Sequence, residues 1–334
     1  MKAFIHLGLE KTGTTSFQHC LFENYKYLIG KKILYPKNLG SKNHRNLATC
    51  CLMPSKRDDH ARSLQLKSQG DFDDFFSKNK SSLKSQIQDN SGASVCILSS
   101  EHFHSRLLDR QNIFRFRELI TDLFEDVIFY LHLRPQVDLA VSLASTAARC
   151  HSTVNSSFFT NVKPASLYYD YFKLYTRWKE VFPGSKIKVY PYKLRPSFME
   201  IFKEEMLSLG PDVSDISLAK RENAALDVRA MALINALNSS SLPSEKKYRI
   251  KPSVLNLLSF EDPLRLSRDF ADRFQKQFAI SNHDLCQQLE DFPIENLHPD
   301  MSKYPEIGNL DLLDKGCGCP FSDQLNFILN SKLN

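Results

Sequence analysis

Apolar and polar positions change period repeatedly along this chain. Lys2-Ala-Phe-Ile-His-Leu-Gly8 is short, mostly apolar and of strand character. From Phe17 to Leu28, apolar residues at Phe17, Leu21 and Leu28, with no internal Gly or Pro, predict a helix. Strand character returns at Lys32–Tyr35, where Pro36 stops it, and again at Ala93–Leu98, Asp126–Leu133 and Lys186–Tyr190. Helical spacing covers about Asp71–Gln88, Phe114–Phe124 and Val137–Arg149. Residues 37–70 are polar and irregular, with at most a short helix near Asn46–Met53. This alternation predicts an α/β fold of three layers, a mainly parallel central sheet with helices on both faces. Beyond residue 196 the strand signal stops, and Phe198–Leu209, Ala224–Leu237 and Pro263–Phe278 read as helices. The expected organisation is an α/β core over 1–210 and a helical C-terminal region over 211–334 packed on it.

The segment joining the first strand to the first helix reads Gly8-Leu-Glu-Lys-Thr-Gly-Thr-Thr-Ser16. A turn of this kind aims successive backbone N–H groups and a helix N-terminus at one point, which makes an anion cradle. Lys11 adds a positive charge, and Thr12, Thr14, Thr15 and Ser16 add hydroxyl donors around Gly13. A strand before, a helix after and four hydroxyl residues favour a P-loop-like phosphate site over a plain turn with an exposed Lys. The order differs from that of the nucleotide triphosphatases, which end their loop in Gly-Lys-Ser/Thr and hold the hydroxyl on magnesium. Here Lys11 precedes Gly13.

Composition narrows the classes. A chain of 334 residues with 42% hydrophobic and 25% charged positions suits a globular protein with a large core. A formal charge of +6 suits an anionic small molecule better than nucleic acid, which calls for a concentrated basic stripe. No apolar run is long enough to span a membrane, and no targeting signal precedes the first strand. A cytoplasmic, bacterial setting is therefore expected. The eight cysteines are scattered without zinc-finger spacing and read as reduced thiols.

The second constellation ends the strongest strand. Leu133-Arg134-Pro135 closes it, and Ser142 lies about two turns into the next helix. Ligands of open parallel sheets bind beyond the carboxyl ends of the strands, so Arg134 is expected to face the crevice that holds Lys11. An Arg fork with a Ser hydroxyl suits a dianionic phosphate. Lys11-Thr-Gly-Thr-Thr-Ser16 resembles the 5′-phosphosulfate loop of the sulfotransferases that use 3′-phosphoadenosine 5′-phosphosulfate (PAPS), and Arg134 to Ser142 resembles their 3′-phosphate segment. The resemblance covers roughly residues 3–210 and is specific at these two motifs. Arg221, in Arg221-Glu-Asn223, loosely resembles a third basic contact of that family.

The resemblance implies PAPS as co-substrate, 3′-phosphoadenosine 5′-phosphate (PAP) as product and no metal requirement. It implies a sulfotransferase that moves a sulfuryl group to a hydroxyl or amine, with Lys11 meeting charge on the leaving phosphate. The acceptor proton needs a base. Glu101, ending the third strand, is the first candidate and His44, after the second strand, the alternative. His102 is placed to orient Glu101 or to point away from it. The polar stretches 37–70 and Arg149–Ser157 suit a carbohydrate or other hydroxyl-rich acceptor, and Phe158, Phe159, Tyr168 and Tyr169 are read as packing residues ahead of sugar-stacking ones. Two alternatives remain at this stage: a P-loop nucleotide kinase or hydrolase, and a noncatalytic binding module on the same fold.

Overall fold

A computed structural model of the chain describes residues 1–150, 152–193, 196–216, 225–257 and 262–314. The expected α/β class is what it shows. Five strands form one sheet: β1 (Lys2–His6), β2 (Ile33–Leu34), β3 (Val95–Ser99), β4 (Asp126–Leu133) and β5 (Lys186–Pro191). Their order is β2-β3-β1-β4-β5, and every pairing is parallel. All strands therefore end at the same edge, and β1 lies between β3 and β4. The loops that follow these three strands are neighbours for that reason alone.

The chain divides into two compact units. The first comprises Met1–Arg134, Asp170–Glu222 and Ser281–Asn296, and it contains the whole sheet. Alternate strand residues serve opposite faces. Phe4, Ile97, Ile128 and Tyr130 pack with Phe17 and Leu21 of α1 (Thr14–Glu23) and with Phe198, Phe202 and Met206 of the helix Phe198–Leu209. Phe4 stacks on Tyr130, with ring centroids 3.7 Å apart. On the other face Phe129 packs on Trp178 and Phe182, and Phe116 meets the same pair. Continuous burial of β1, β3 and β4 explains why these strands read as apolar runs without alternation.

The second unit comprises Pro135–Tyr169, Asn223–Ile280 and Leu297–Asn334, and its described elements are helical. Two buried amides tie its segments together. Gln275 accepts from Val137 N and donates to the Gln136 side chain, and Asn235 both accepts from and donates to the Val154 backbone. Past Pro191 the described residues hold no strand, only an isolated bridge between Asp227 and Pro263. No described helix is long and apolar enough to cross a membrane.

Several boundaries differ from those expected, and capping accounts for most of them. The helix expected from Phe17 to Leu28 is two, α1 and α2 (Tyr25–Gly30). Between them Asn24 leaves helical geometry, and its side-chain amide donates to the Cys20 carbonyl at 2.8 Å. The helix expected from Ala224 starts at Val228 because Asp227 accepts from Arg229 N. The one expected from Pro263 starts at Arg268 because the Ser267 hydroxyl accepts from Phe270 N.

Candidate active site

The loop between β1 and α1 carries the features of an anion cradle. Lys11 has a positive φ of 65° and Gly13 one of 82°, so the backbone turns through left-handed positions just before the helix. The Thr12 hydroxyl donates to the Leu9 carbonyl at 2.6 Å and closes the turn from inside. Gly13 caps α1 with no side-chain hydrogen bond, so the first-turn N–H groups have neither a capping side chain nor intrahelical acceptors. Thr14 is buried, Thr15 exposed, and Lys11 and Ser16 half-buried. Positive helix-end potential and a lysine therefore converge on one small surface.

Arg134 follows β4 and reaches back to this loop. Its Nη1 donates to the Lys11 carbonyl at 2.9 Å, and its guanidinium lies 5.3 Å from the centroid of the Tyr192 ring. Tyr192 follows β5 and is pinned by its N–H donating to the Leu133 carbonyl. The Arg134 Nε is buried without an acceptor. A guanidinium with one edge held by the phosphate loop and a buried donor left over is what a multiply charged anion would satisfy. The residues present thus fit a nucleotide phosphate.

Glu101, just past β3, completes the edge. Its carboxylate is held at both oxygens: Gln18 Nε2 donates to Oε2 and Asn43 Nδ2 donates to Oε1, each at 2.9 Å. Gln18 also donates to the Ser99 hydroxyl at 3.3 Å, and Ser99 meets His6 Nδ1 at 2.9 Å. His102 Nε2 lies 3.5 Å from Glu101 Oε1, and burial lowers the imidazole pKa against the opposing pull of that carboxylate. Gly8 explains the close approach of the two loops. A Cβ there would lie 2.9 Å from Glu101 Cα and N.

His44 is placed differently from a base open to an acceptor. It is 1% exposed, its Nε2 pairs with the Pro36 carbonyl at 2.7 Å and its Nδ1 accepts from Ser99 N at 3.1 Å. These bonds make Nε2 the protonated nitrogen and occupy both sides of the ring. Burial pushes its pKa down to about 4. Its role in the structure is to tie the second loop to the end of β3.

Ser142 lies half-buried on the helix Gln136–Arg149 of the second unit. Arg221 lies outside the described residues. Phe159 and Tyr169 pack inside the second unit, against Phe274 and, for Tyr169, in a stack on Phe278. Sequence reasoning missed Gln18 and Asn43. Gln18 occupies an apolar-face position of α1 and is 3% exposed; a buried amide amid Phe17, Cys20 and Leu21 was its only signal.

No protein-family model matches the chain, and no curated protein matches it significantly. A solved structure, a sulfotransferase from Alicyclobacillus acidocaldarius, is similar over 74% of this chain and 98% of its own, at 15% identity and a TM-score of 0.42. A likeness of that size leaves the function to be argued from the site.

Proposed function

We propose that the chain is a PAPS-dependent sulfotransferase acting on a hydroxyl-rich acceptor, with a carbohydrate as the favoured class. The observation that carries this reading is the Arg134–Lys11 junction: a phosphate loop with lysine before its glycine, braced by an arginine that keeps a buried, unpaired donor. The N–H groups of the α1 first turn, Lys11, Thr12, Gly13, Thr14, Thr15 and Ser16 would hold a 5′-phosphate, and Arg134 a second phosphate. Bound PAPS would supply the sulfuryl group, its S–O bond to the 5′-phosphate breaking as the acceptor oxygen bonds to sulfur. Lys11 and the loop N–H groups stabilise the charge that grows on the phosphate oxygen. Glu101 takes the acceptor proton and, held at both oxygens, presents one fixed lone-pair direction to it.

The test is thermal denaturation with PAP, AMP, ADP and Mg-ATP. A ligand at 100 times its Kd adds about 2.7 kcal/mol to native stability. PAP is expected to raise Tm most, with or without a chelator. Equal shifts from AMP and PAP would remove the second phosphate site. A larger shift from Mg-ATP, abolished by chelation, would favour a nucleotide kinase or hydrolase instead.

A further inference from the structure

The geometry points to Gln18 and Asn43 as positioning residues that clamp the carboxylate of Glu101, an inference that rests on Glu101 being the base. Two amides from different elements, one on α1 and one on the loop after β2, donate to the two carboxylate oxygens at the same distance of 2.9 Å. A carboxylate on a loop ordinarily samples several rotamers, and each charge-assisted bond removes some of that freedom. Gln18 is itself anchored. Its amide shares donation with Ser99 Oγ, and that hydroxyl meets the buried His6 ring.

The anchoring has a consequence for the phosphate loop. Gln18 sits one turn into α1, the helix that Gly13 caps, so the same rigid element carries the anion cradle and the clamp. Seating an anion on α1 therefore fixes Glu101 relative to the cradle. Asn43 supplies the opposite side from the segment that precedes the buried His44, which is pinned to Ser99 and Pro36. The proposed base is thus referenced to β1, β2 and β3 at once.

The experiment combines turnover with a spectroscopic readout. PAP release from PAPS is measured with a panel of neutral disaccharides for wild type, Gln18→Met, Asn43→Ala, Glu101→Gln and the double variants with Glu101→Gln. Met keeps the length and burial of Gln18 and removes its donor. Each single clamp variant is expected to lower kcat about 10- to 100-fold with KM for PAPS and PAP affinity unchanged, and to add nothing in the Glu101→Gln background. In parallel, the side-chain amide resonances of Gln18 and Asn43 in ¹⁵N-labelled protein should both shift in Glu101→Gln, because each amide then loses a charged acceptor. An unchanged kcat in Gln18→Met, or losses that add in the double variants, would overturn the clamp while leaving the base in place. A normal kcat in Glu101→Gln would instead overturn the base. If none of the disaccharides is an acceptor, amide signals that stay in place in Glu101→Gln overturn the clamp by themselves.

Discussion

Arg134 Nη1 donates to the Lys11 carbonyl at 2.9 Å, joining residues separated by 123 positions of sequence. The contact follows from sheet order: β1 and β4 are direct parallel neighbours, so the first residue past β4 faces the loop past β1. Arg134 therefore braces the backbone of the loop, while its buried Nε has no acceptor of its own.

The two residues should consequently fail in different ways. Lys11→Ala is expected to lower turnover more than PAP affinity, because its partner charge grows toward the transition state. Arg134→Ala is expected to weaken PAP binding about 10- to 100-fold, the size of a lost charged hydrogen bond of about 1.5–3 kcal/mol. Arg134→Lys should not restore it, since an ammonium cannot brace the carbonyl and serve an anion in the same planar geometry. Calorimetric titration with PAP and steady-state kinetics separate the outcomes; identical profiles for Lys11→Ala and Arg134→Ala would contradict the division.

Gly8 and Gly13 both have positive φ, 20° and 82°, and are both expected to resist substitution, but only Gly8 adds a steric clash. At Gly8 the added methyl meets the Glu101 backbone at 2.9 Å, and backbone cannot swing away as a side-chain tip can. Gly8→Ala should displace Glu101, cut turnover strongly and cost about 1–3 kcal/mol in stability. At Gly13 the nearest atom, Tyr192 Cε2, is 3.9 Å away, so space is available. The cost of Gly13→Ala is the left-handed φ, about 1–2 kcal/mol, together with a distorted cradle. PAP affinity should fall in Gly13→Ala and hold in Gly8→Ala.

Much of this site was legible in the sequence, and the part that was not has one physical cause. The bounds of β4 and of the helix Phe198–Leu209 match the sequence reading to the residue, because a long apolar run and helical spacing are local signals, and in the structure a Ser197–Glu200 capping box fixes the helix start. That the candidates Lys11, Glu101 and Arg134 lie at one edge of the sheet is legible because each follows a strand, and parallel strands end together. Gln18 and Asn43 are not legible. A buried amide has no periodicity of its own, and its partner carboxylate is 83 positions away from Gln18 and 58 from Asn43. The burial of His44, the alternative base in the sequence, is illegible for the same reason: the carbonyl and N–H that fill its ring come from Pro36 and Ser99.

Buried histidines should make the fold sensitive to acid. His44 is held down to about 4, and His132, stacked on Tyr190 and edge-on to Phe198, down to about 3, in both cases by burial. His6 is also lowered well below its usual range, by burial and by the neighbouring His132. A depressed histidine pKa means that the unfolded chain binds more protons, so stability rises with pH through the interval. The contribution is complete above the unfolded value of 6.5 and is lost as pH falls from 6.5 toward 4 for His44 and toward 3 for His132. For His44 the loss is on the order of 3 kcal/mol. Urea midpoints measured from pH 7.5 to 4.5 should fall accordingly. His132→Phe should flatten the slope, because neither ring nitrogen of His132 has a partner to lose; an unchanged slope would place the acid sensitivity elsewhere.

Glu101 and His44 were the two candidates for the base, and they predict opposite signatures. Glu101→Gln keeps the shape of the side chain. The Asn43 Oδ1, buried without a partner, can turn to accept from the new amide. Melting temperature and PAP affinity should therefore change little while turnover falls about 10²- to 10⁴-fold. His44→Ala removes a ring that satisfies a carbonyl and an N–H in the interior, each costing about 1–3 kcal/mol when orphaned. Its effect should appear as lost stability, with much of the turnover per folded molecule retained at low temperature. Active-site titration with PAP normalises the rate to folded protein and so separates the cases. Near-normal turnover in Glu101→Gln, set against a turnover loss in His44→Ala that survives this normalisation, would move the proton transfer to the loop after β2.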